Sequence, residues 1–242
     1  MSHWNRPIAK MLVAVLAVLL VAGAGCRKED DRPTVALVMK SLANEFFKTM
    51  EEGARAHHAE HSDLYNLEVR GIKDETDVTQ QIEYVELMMA QGVDAIVIAP
   101  ADSKGLVPVC KKAMDAGIVV VNIDNKFDDE VLADKGIQIP FVGPDNRKGA
   151  KLAGVYLAAR LSPGDKVAII EGAPNAFNGI QRKAGFEEAM IGSSMDIVSS
   201  QTGYWETDKA QPIASALINK YPDLKALLCA NDSMALGAVA AL

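Results

Sequence analysis

Short runs of β-branched residues alternate with longer amphipathic stretches along most of the chain. Continuous apolar runs, such as residues 96–98 and 119–121, are typical of strands that are buried on both faces. Their alternation with helices predicts parallel sheets covered by helices on both sides. The rhythm occurs twice in tandem, which predicts an α/β fold of two Rossmann-like lobes. The predicted strands are 34–39, 67–72, 95–99 and 119–123 in the first lobe, and 166–170, 196–200 and 226–230 in the second.

The two lobes have different predicted extents. We expect an N-terminal lobe over residues 34–143, with a crossing segment at 138–142, and a C-terminal lobe over residues 144–242. The second array has three strands where the first has at least four. Leu242 falls within an Ala- and Leu-rich helical pattern that has no closing glycine or charge. We therefore expect the C-terminal lobe to be incomplete and the fold to be C-terminally truncated in this chain.

The first 25 residues have the organisation of a secretory signal peptide. Arg6 and Lys10 precede an apolar run at 11–21, and small residues follow directly before Cys26. A transmembrane helix is the weaker alternative, because the run is short for a bilayer core of about 30 Å. The small residues before Cys26 resemble a bacterial lipobox. We expect acylation of Cys26, a lipid anchor and linker over residues 26–33, and an extracytoplasmic or periplasmic lipoprotein. Soluble secretion after cleavage is the alternative.

Composition and motifs exclude several classes of function. A net charge of −7 argues against nucleic-acid binding, which needs clustered basic residues. The sequence has no P-loop, no dinucleotide-binding glycine motif and no G-x-S-x-G elbow, so we expect neither an enzyme nor a cofactor. The acidic segment 124–134 lacks the central glycine of a calcium loop and is predicted to be a solvated loop. His57 and His61 could chelate a metal, but a solvent-exposed helix end is favoured and no metal site is expected.

The two remaining cysteines are expected to be free thiols. Cys110 lies on a predicted buried helix face and Cys229 in a predicted buried strand. Because they belong to different predicted lobes, a disulfide between them is not expected.

Polar and aromatic residues follow the carboxyl ends of the predicted strands in both lobes. In doubly wound sheets these loops form the ligand crevice. Two lobes that face each other across such loops would enclose a small molecule. The candidate binding residues are Asn44, Phe46, Phe47, Asp124, Asn125, Arg182, Trp205 and Asn231.

Five segments resemble the ribose-binding branch of the type I periplasmic binding proteins. They are SLANEFF at 41–47, NIDN at 122–125, GPDN at 143–146, RKAGF at 182–186 and ANDSMALG at 230–237. The resemblance covers residues 34–242. It implies two lobes joined by crossing hinge strands, which close on a sugar and deliver it to an ABC permease in the inner membrane. It also implies a monomeric protein whose ligand is a monosaccharide or polyol.

The resemblance also implies roles for the candidate residues. Phe46, Phe47 and Trp205 would pack against the C–H faces of a sugar ring, while Asp124, Arg182, Asn44 and Asn231 would bond its hydroxyls. A purely hydrophobic helix face remains the alternative for the two phenylalanines. The ribose-binding pattern has Asp-Arg where this chain has Asp124-Asn125. Because an amide supplies fewer directed donors than arginine, another aldose or a polyol is expected at least as much as ribose.

Two other functions use the same fold. A sensory binding protein would present its closed form to a membrane receptor or sensor kinase instead of a permease. A transcription regulator of the lactose-repressor type would begin with a basic helix-turn-helix, but an export signal occupies that place here.

Overall fold

The computed structural model describes residues 31–242 of the chain. The predicted signal peptide and Cys26 lie outside the described residues, as does most of the predicted linker. Within residues 31–242, no helix combines the length and apolar character needed to cross a membrane.

The N-terminal lobe is a parallel five-stranded sheet flanked by helices. The sheet order is β2-β1-β3-β4-β5, so the chain crosses over β1 to reach β3. The buried Ile and Val side chains of β3 and β4 form the core with α2 and α3, as expected for strands covered on both faces. The elements are β1 (Thr34–Met39), α1 (Glu45–Glu60), β2 (Asn66–Gly71), α2 (Val78–Gln91), β3 (Ala95–Ile98), α3 (Val107–Asp115), β4 (Val119–Ile123), α4 (Asp129–Asp134) and β5 (Phe141–Val142).

The C-terminal lobe repeats this architecture with three parallel strands in the order β7-β6-β8. The central strand β6 contains four consecutive side chains with no solvent exposure, from Val167 to Ile170. The predicted α/β fold of two lobes with parallel sheets is therefore confirmed. The elements are α5 (Asn146–Ala158), β6 (Lys166–Glu171), α6 (Phe177–Gly192), β7 (Asp196–Thr202), α7 (Thr207–Lys220), β8 (Leu224–Cys229) and α8 (Asp232–Val239).

The crossing between the lobes contains a short strand. The last two residues of the predicted crossing segment form β5, which pairs with β4 in parallel. The predicted lobe boundary between residues 143 and 144 falls between β5 and α5. The chain thus leaves the edge of the first sheet directly into the first helix of the second lobe.

The prediction of a solvated loop over residues 124–134 is wrong in its second half. Residues Asp129–Asp134 form α4, and the Asp128 side chain accepts a hydrogen bond from the Val131 backbone N–H at 3.0 Å. Acidic residues in the first turn stabilise a helix because they face the positive end of its dipole. The acidity that suggested a loop is thus the charge pattern of a helix start.

The two cysteines lie in different lobes, as expected. Both are free thiols, in α3 and at the end of β8. Burial raises the pKa of Cys110 to about 12 and that of Cys229 to about 11, so both thiols are protonated at neutral pH.

Candidate functional site

A cavity of about 1300 Å³ opens between the two lobes. Part of its wall is apolar and follows β8 and α8, and the rest carries charged, amide and aromatic side chains. Of the eight candidate binding residues predicted from the sequence, all except Asn125 line this cavity. The polar and aromatic part of the wall comprises Lys40, Asn44, Phe46, Phe47, Glu75 and Asp124 from the N-terminal lobe, and Asn178, Arg182, Trp205, Asn231 and Asp232 from the C-terminal lobe.

Asn44 positions the start of α1 at the cavity. Its side-chain oxygen accepts a hydrogen bond from the Phe46 N–H at 3.0 Å, which caps the helix, and its amide donates to Glu75 at 2.8 Å. The Phe46 and Phe47 rings meet edge to face, with centroids 5.1 Å apart. Phe47 is buried in the lobe core, whereas Phe46 is 53% exposed. Both rings thus line the cavity, and Phe47 also packs in the core of the lobe.

Lys40, which the sequence analysis missed, is a buried cation in the cavity wall. Its ammonium nitrogen lies 2.9 Å from a carboxylate oxygen of Glu75, and the two side chains are only 2% and 4% exposed. The same nitrogen lies 5.5 Å from the ring centroid of Phe47 and 5.2 Å from that of Trp205. A cation within about 6 Å of an aromatic face is attracted to it. Lys40 thus contacts aromatic rings from both lobes.

Asp124 directly follows β4 in a left-handed backbone conformation, with φ of 58°. Asp is one of the few residues that tolerate this conformation. Burial raises the pKa of its carboxyl above the ordinary value, although the positive charges of Lys40 and Arg182 oppose this and Glu75 adds to it. The side-chain amide of Asn178 donates to the Asp124 carboxylate at 3.4 Å. The carboxylate is thus partly desolvated and has acceptor capacity left for a ligand.

Asn125 lies between the lobes and does not line the cavity, contrary to the prediction. Its amide donates to the Pro100 carbonyl at 2.8 Å, and its side-chain oxygen accepts from the Ser103 hydroxyl at 3.2 Å and from the Asn178 backbone N–H at 3.1 Å. The left-handed turn at Asp124 changes the direction of the chain, so the two neighbouring side chains take different environments. In this chain, position 125 thus belongs to the lobe contact and supplies no group to the cavity wall.

Arg182 lies in the second turn of α6 and is fixed by two hydrogen bonds. Its Nε donates to the Asn146 side chain at 2.8 Å and its Nη1 to the Ala230 carbonyl at 2.7 Å. Burial lowers the pKa of this guanidinium, but arginine remains charged in proteins. Since a guanidinium has five N–H groups, Arg182 retains donors for a molecule in the cavity.

Trp205 forms an aromatic wall of the C-terminal lobe. Tyr204 and Trp205 both have positive φ, of 52° and 74°, which turns the chain tightly after β7. The indole ring packs directly over Gly172, where any Cβ would collide with it. Asn231 caps α8 by accepting from Met234 and donates to the Trp205 carbonyl at 3.1 Å. These contacts hold the ring opposite Lys40.

Three buried polar atoms at the cavity have no hydrogen-bond partner among the described residues: the Trp205 indole nitrogen, the Asn178 side-chain oxygen and the Glu75 carboxylate oxygen that is in the ion pair with Lys40. Buried polar groups are nearly always satisfied in native proteins. This wall therefore has at least one donor and one acceptor available to a polar molecule. Within residues 31–242, no cluster of three or more His, Cys, Asp or Glu side chains could hold a metal ion.

Comparison with protein families decides the identity of this architecture. A model described as a periplasmic binding protein domain matches residues 35–242. The chain belongs to the periplasmic binding protein family. The family predicted from the five sequence segments is thereby confirmed.

This periplasmic binding protein has similar relatives among characterised and solved proteins. A D-ribose/D-allose-binding protein of Pseudomonas aeruginosa is 58% identical over 238 residues, covering 98% of this chain and 75% of the relative. An ABC transporter solute-binding protein of Burkholderia multivorans, solved with an unknown ligand represented as α-D-erythrofuranose, is 58% identical with a TM-score of 0.86. That match covers 87% of this chain and 74% of the other.

A second solved structure, from Actinobacillus succinogenes, is an ABC transporter periplasmic solute-binding protein with bound D-allose. It is 35% identical with a TM-score of 0.80, covering 87% of this chain and 73% of the other. This periplasmic binding protein thus spans about three quarters of the length of these relatives.

Proposed function

We propose that this periplasmic binding protein is the sugar-binding component of an ABC importer. It captures a monosaccharide or polyol between its lobes, as a monomer, and delivers it to a permease in the inner membrane. The observation that carries the proposal is the composition of the cavity wall, in which charged, amide and aromatic side chains from both lobes line the same space. The names of the relatives support it, since these refer to ribose, allose and ABC transport.

The wall matches the two surfaces of a sugar. The edge of a sugar ring carries hydroxyls, which both donate and accept hydrogen bonds, and its faces carry C–H groups that pack on aromatic rings. Arg182 and Lys40 can donate hydrogen bonds to sugar hydroxyls, and Asp124 can accept them. The side-chain amides of Asn44 and Asn231 have both donor and acceptor groups. Aromatic rings from both lobes border the same space.

The charges of the wall favour an uncharged ligand. Among the ionisable groups of the wall that are buried or half-buried, the cations Lys40 and Arg182 are balanced by the carboxylates Glu75 and Asp124. The remaining charged residues of the wall are exposed to solvent: Glu45, Lys225 and Asp232. An anionic or cationic ligand would leave one buried charge without a counter-charge, and this costs several kcal/mol. A sugar with hydroxyls alone brings no such penalty.

D-allose and D-ribose are the first ligands to test. The sequence argued against ribose because arginine is missing after Asp124, yet Lys40 supplies a buried cation close to the same carboxylate. We expect the purified chain to bind at least one of these sugars, with Kd measured by isothermal titration and supported by a thermal shift. A hundredfold excess of sugar over Kd stabilises the fold by about 2.7 kcal/mol. Sugar acids serve as charged controls, and tighter binding of these would contradict the proposal.

The N-terminal segment supports attachment to the membrane. We propose that residues 1–25 are cleaved and that Cys26 is acylated, so that the lobes are tethered in the periplasm. A protein with a single acyl chain binds the membrane reversibly, and stable anchoring usually requires a second membrane-binding group, such as another acyl chain. We expect the mature protein to sediment with membranes, whereas Cys26→Ala should be recovered in the soluble fraction. Cys110→Ala is the control for loss of a thiol, and equal membrane association of all three proteins would contradict lipidation.

A further inference from the structure

Helix α6 has no N-cap of its own. Ala176 occupies the N-cap position, and its side chain offers no acceptor to the first backbone N–H groups of the helix. These groups have no partner within a helix and need acceptors from elsewhere. Five other helices of the described chain use their own Asn or Asp side chain at this position: Asn44 for α1, Asp77 for α2, Asp128 for α4, Asp145 for α5 and Asn231 for α8.

The acceptors for α6 come from the opposite lobe. The Ser103 hydroxyl accepts from the Phe177 N–H at 2.9 Å, and the Asn125 side-chain oxygen accepts from the Asn178 N–H at 3.1 Å. The Ser103 hydroxyl also donates to the Asn125 oxygen at 3.2 Å. Two N-terminal-lobe side chains thus perform, across the lobe contact, the role of an N-cap residue.

Both capping side chains are fixed within their own lobe. The Ser103 carbonyl accepts from the Asp128 N–H at 2.9 Å, and the Asn125 amide donates to the Pro100 carbonyl at 2.8 Å. Ser103 is 5% exposed and Asn125 is fully buried. These two bonds lie within the N-terminal lobe, so they can hold the Ser103 backbone and the Asn125 side chain in place independently of the contact with α6.

A second pair of bonds extends the same contact. The Ser103 backbone N–H donates to the Asn175 carbonyl at 3.0 Å, and the Asn175 side chain donates to the Asp102 carboxylate at 2.6 Å. The Asn178 side chain reaches Asp124 in the cavity wall from the first turn of the helix. The lobe contact and the cavity are therefore joined through the start of α6.

We infer that Ser103 and Asn125 are positioning residues for sugar binding, acting as an inter-lobe cap of α6. The cap exists only while the lobes are closed, since separation removes both acceptors. It therefore favours the closed arrangement and orients the helix that carries Arg182 and Asn178. This role rests on the proposed sugar-binding function. When only one arrangement binds, the apparent affinity scales with its population, so the cap strengthens binding without touching the sugar.

The cap has a signature that a direct contact lacks. Neither Ser103 nor Asn125 lines the cavity. Weakening the cap should therefore raise Kd by the same factor for every sugar, whereas loss of a group in the cavity wall changes the preference between sugars. The increase should appear mainly as faster dissociation, because most changes in affinity are changes in the off-rate.

The first test measures binding of D-allose and D-ribose to the full chain and to Ser103→Ala. We expect Kd to rise about three- to tenfold for each sugar, as for loss of one cap bond, with an unchanged ratio between them. The matched control is Asp128→Ala, which removes the cap of α4 inside the N-terminal lobe but keeps the backbone N–H that bonds Ser103. Its Kd should stay within twofold of the parent. An unchanged Kd in Ser103→Ala, or a changed ratio, would overturn the inference.

The second test does not depend on sugar binding. Amide hydrogen exchange at Phe177 and Asn178 reports whether these N–H groups have acceptors. We expect the Phe177 amide, whose acceptor is the Ser103 hydroxyl, to exchange at least threefold faster in Ser103→Ala than in the parent or in Asp128→Ala. Equal rates in the parent and Ser103→Ala, with and without either sugar, would overturn the cap. A parent that binds neither sugar but shows the expected exchange difference would contradict the proposed function and leave the cap supported.

Discussion

Replacing Lys40 with methionine should lower the free energy of unfolding by about 3–5 kcal/mol, because it leaves the buried carboxylate of Glu75 without its counter-charge. Methionine keeps most of the apolar stem, so the loss reports the charge more than the packing. The ammonium group of Lys40 lies 2.9 Å from Glu75, and neither side chain is appreciably exposed. Urea titration of both proteins at pH 7 gives the difference in unfolding free energy directly.

A double variant distinguishes the loss of the Lys40–Glu75 ion pair from other destabilising effects of the Lys40 substitution. In Lys40→Met with Glu75→Gln, no uncompensated carboxylate remains, and the side-chain oxygen at position 75 can still accept from Asn44. We expect the double variant to recover more than half of the stability lost in Lys40→Met, since contacting residues are energetically coupled. If the double variant is as unstable as the single one, the Lys40–Glu75 pair is not the source of the effect.

Replacing Asp124 with asparagine should weaken sugar binding about ten- to a hundredfold while leaving the fold intact, because a charged acceptor for buried hydroxyls is lost. Asparagine has the same shape and tolerates the left-handed backbone found at this position, with φ of 58°. Alanine would add backbone strain to the loss of the carboxylate. Isothermal titration with D-allose and D-ribose measures the effect. Asp129→Asn, on the exposed surface of α4, is the control and should bind like the parent.

The pH dependence of binding gives a further check on Asp124. The carboxylate accepts sugar hydroxyls only when ionised, and burial raises its pKa. Affinity should therefore fall on acidification, beginning at a higher pH than for an ordinary aspartate. In Asp124→Asn this loss of affinity at low pH should be absent. An identical decline in the variant would assign the titration to another group.

Strand positions were predictable from the sequence because each lobe buries its central strands on both faces. The predicted bounds of β1 and β4 are those of the structure, and each strand is followed directly by a charged residue, Lys40 or Asp124. Helix α4 was missed because six acidic and apolar residues show too little periodicity to distinguish them from a loop. The helix starts directly after its N-cap residue Asp128, which the sequence analysis considered only as part of a possible calcium loop.

The cavity was predictable in outline but not in its charges. The rule that ligands bind at the carboxyl ends of parallel strands located the wall. Lys40 directly follows β1, and a lysine after a strand is ordinarily solvated. Its burial depends on Glu75, which is distant in sequence and comes from the loop after β2. Asn125 was placed wrongly because the direction of its side chain depends on the backbone of Asp124, which composition and spacing do not reveal.

The position of Trp205 also makes the protein its own optical reporter. The chain contains two tryptophans, and the indole of Trp205 lies in the C-terminal lobe with the ammonium group of Lys40, from the other lobe, 5.2 Å from its ring centroid. Indole emission depends on nearby charge and on contact with water, and both change for this ring when the lobes separate. Trp4 lies in the segment that is proposed to be cleaved, so the emission wavelength of Trp205 alone would follow lobe closure in the unlabelled mature protein.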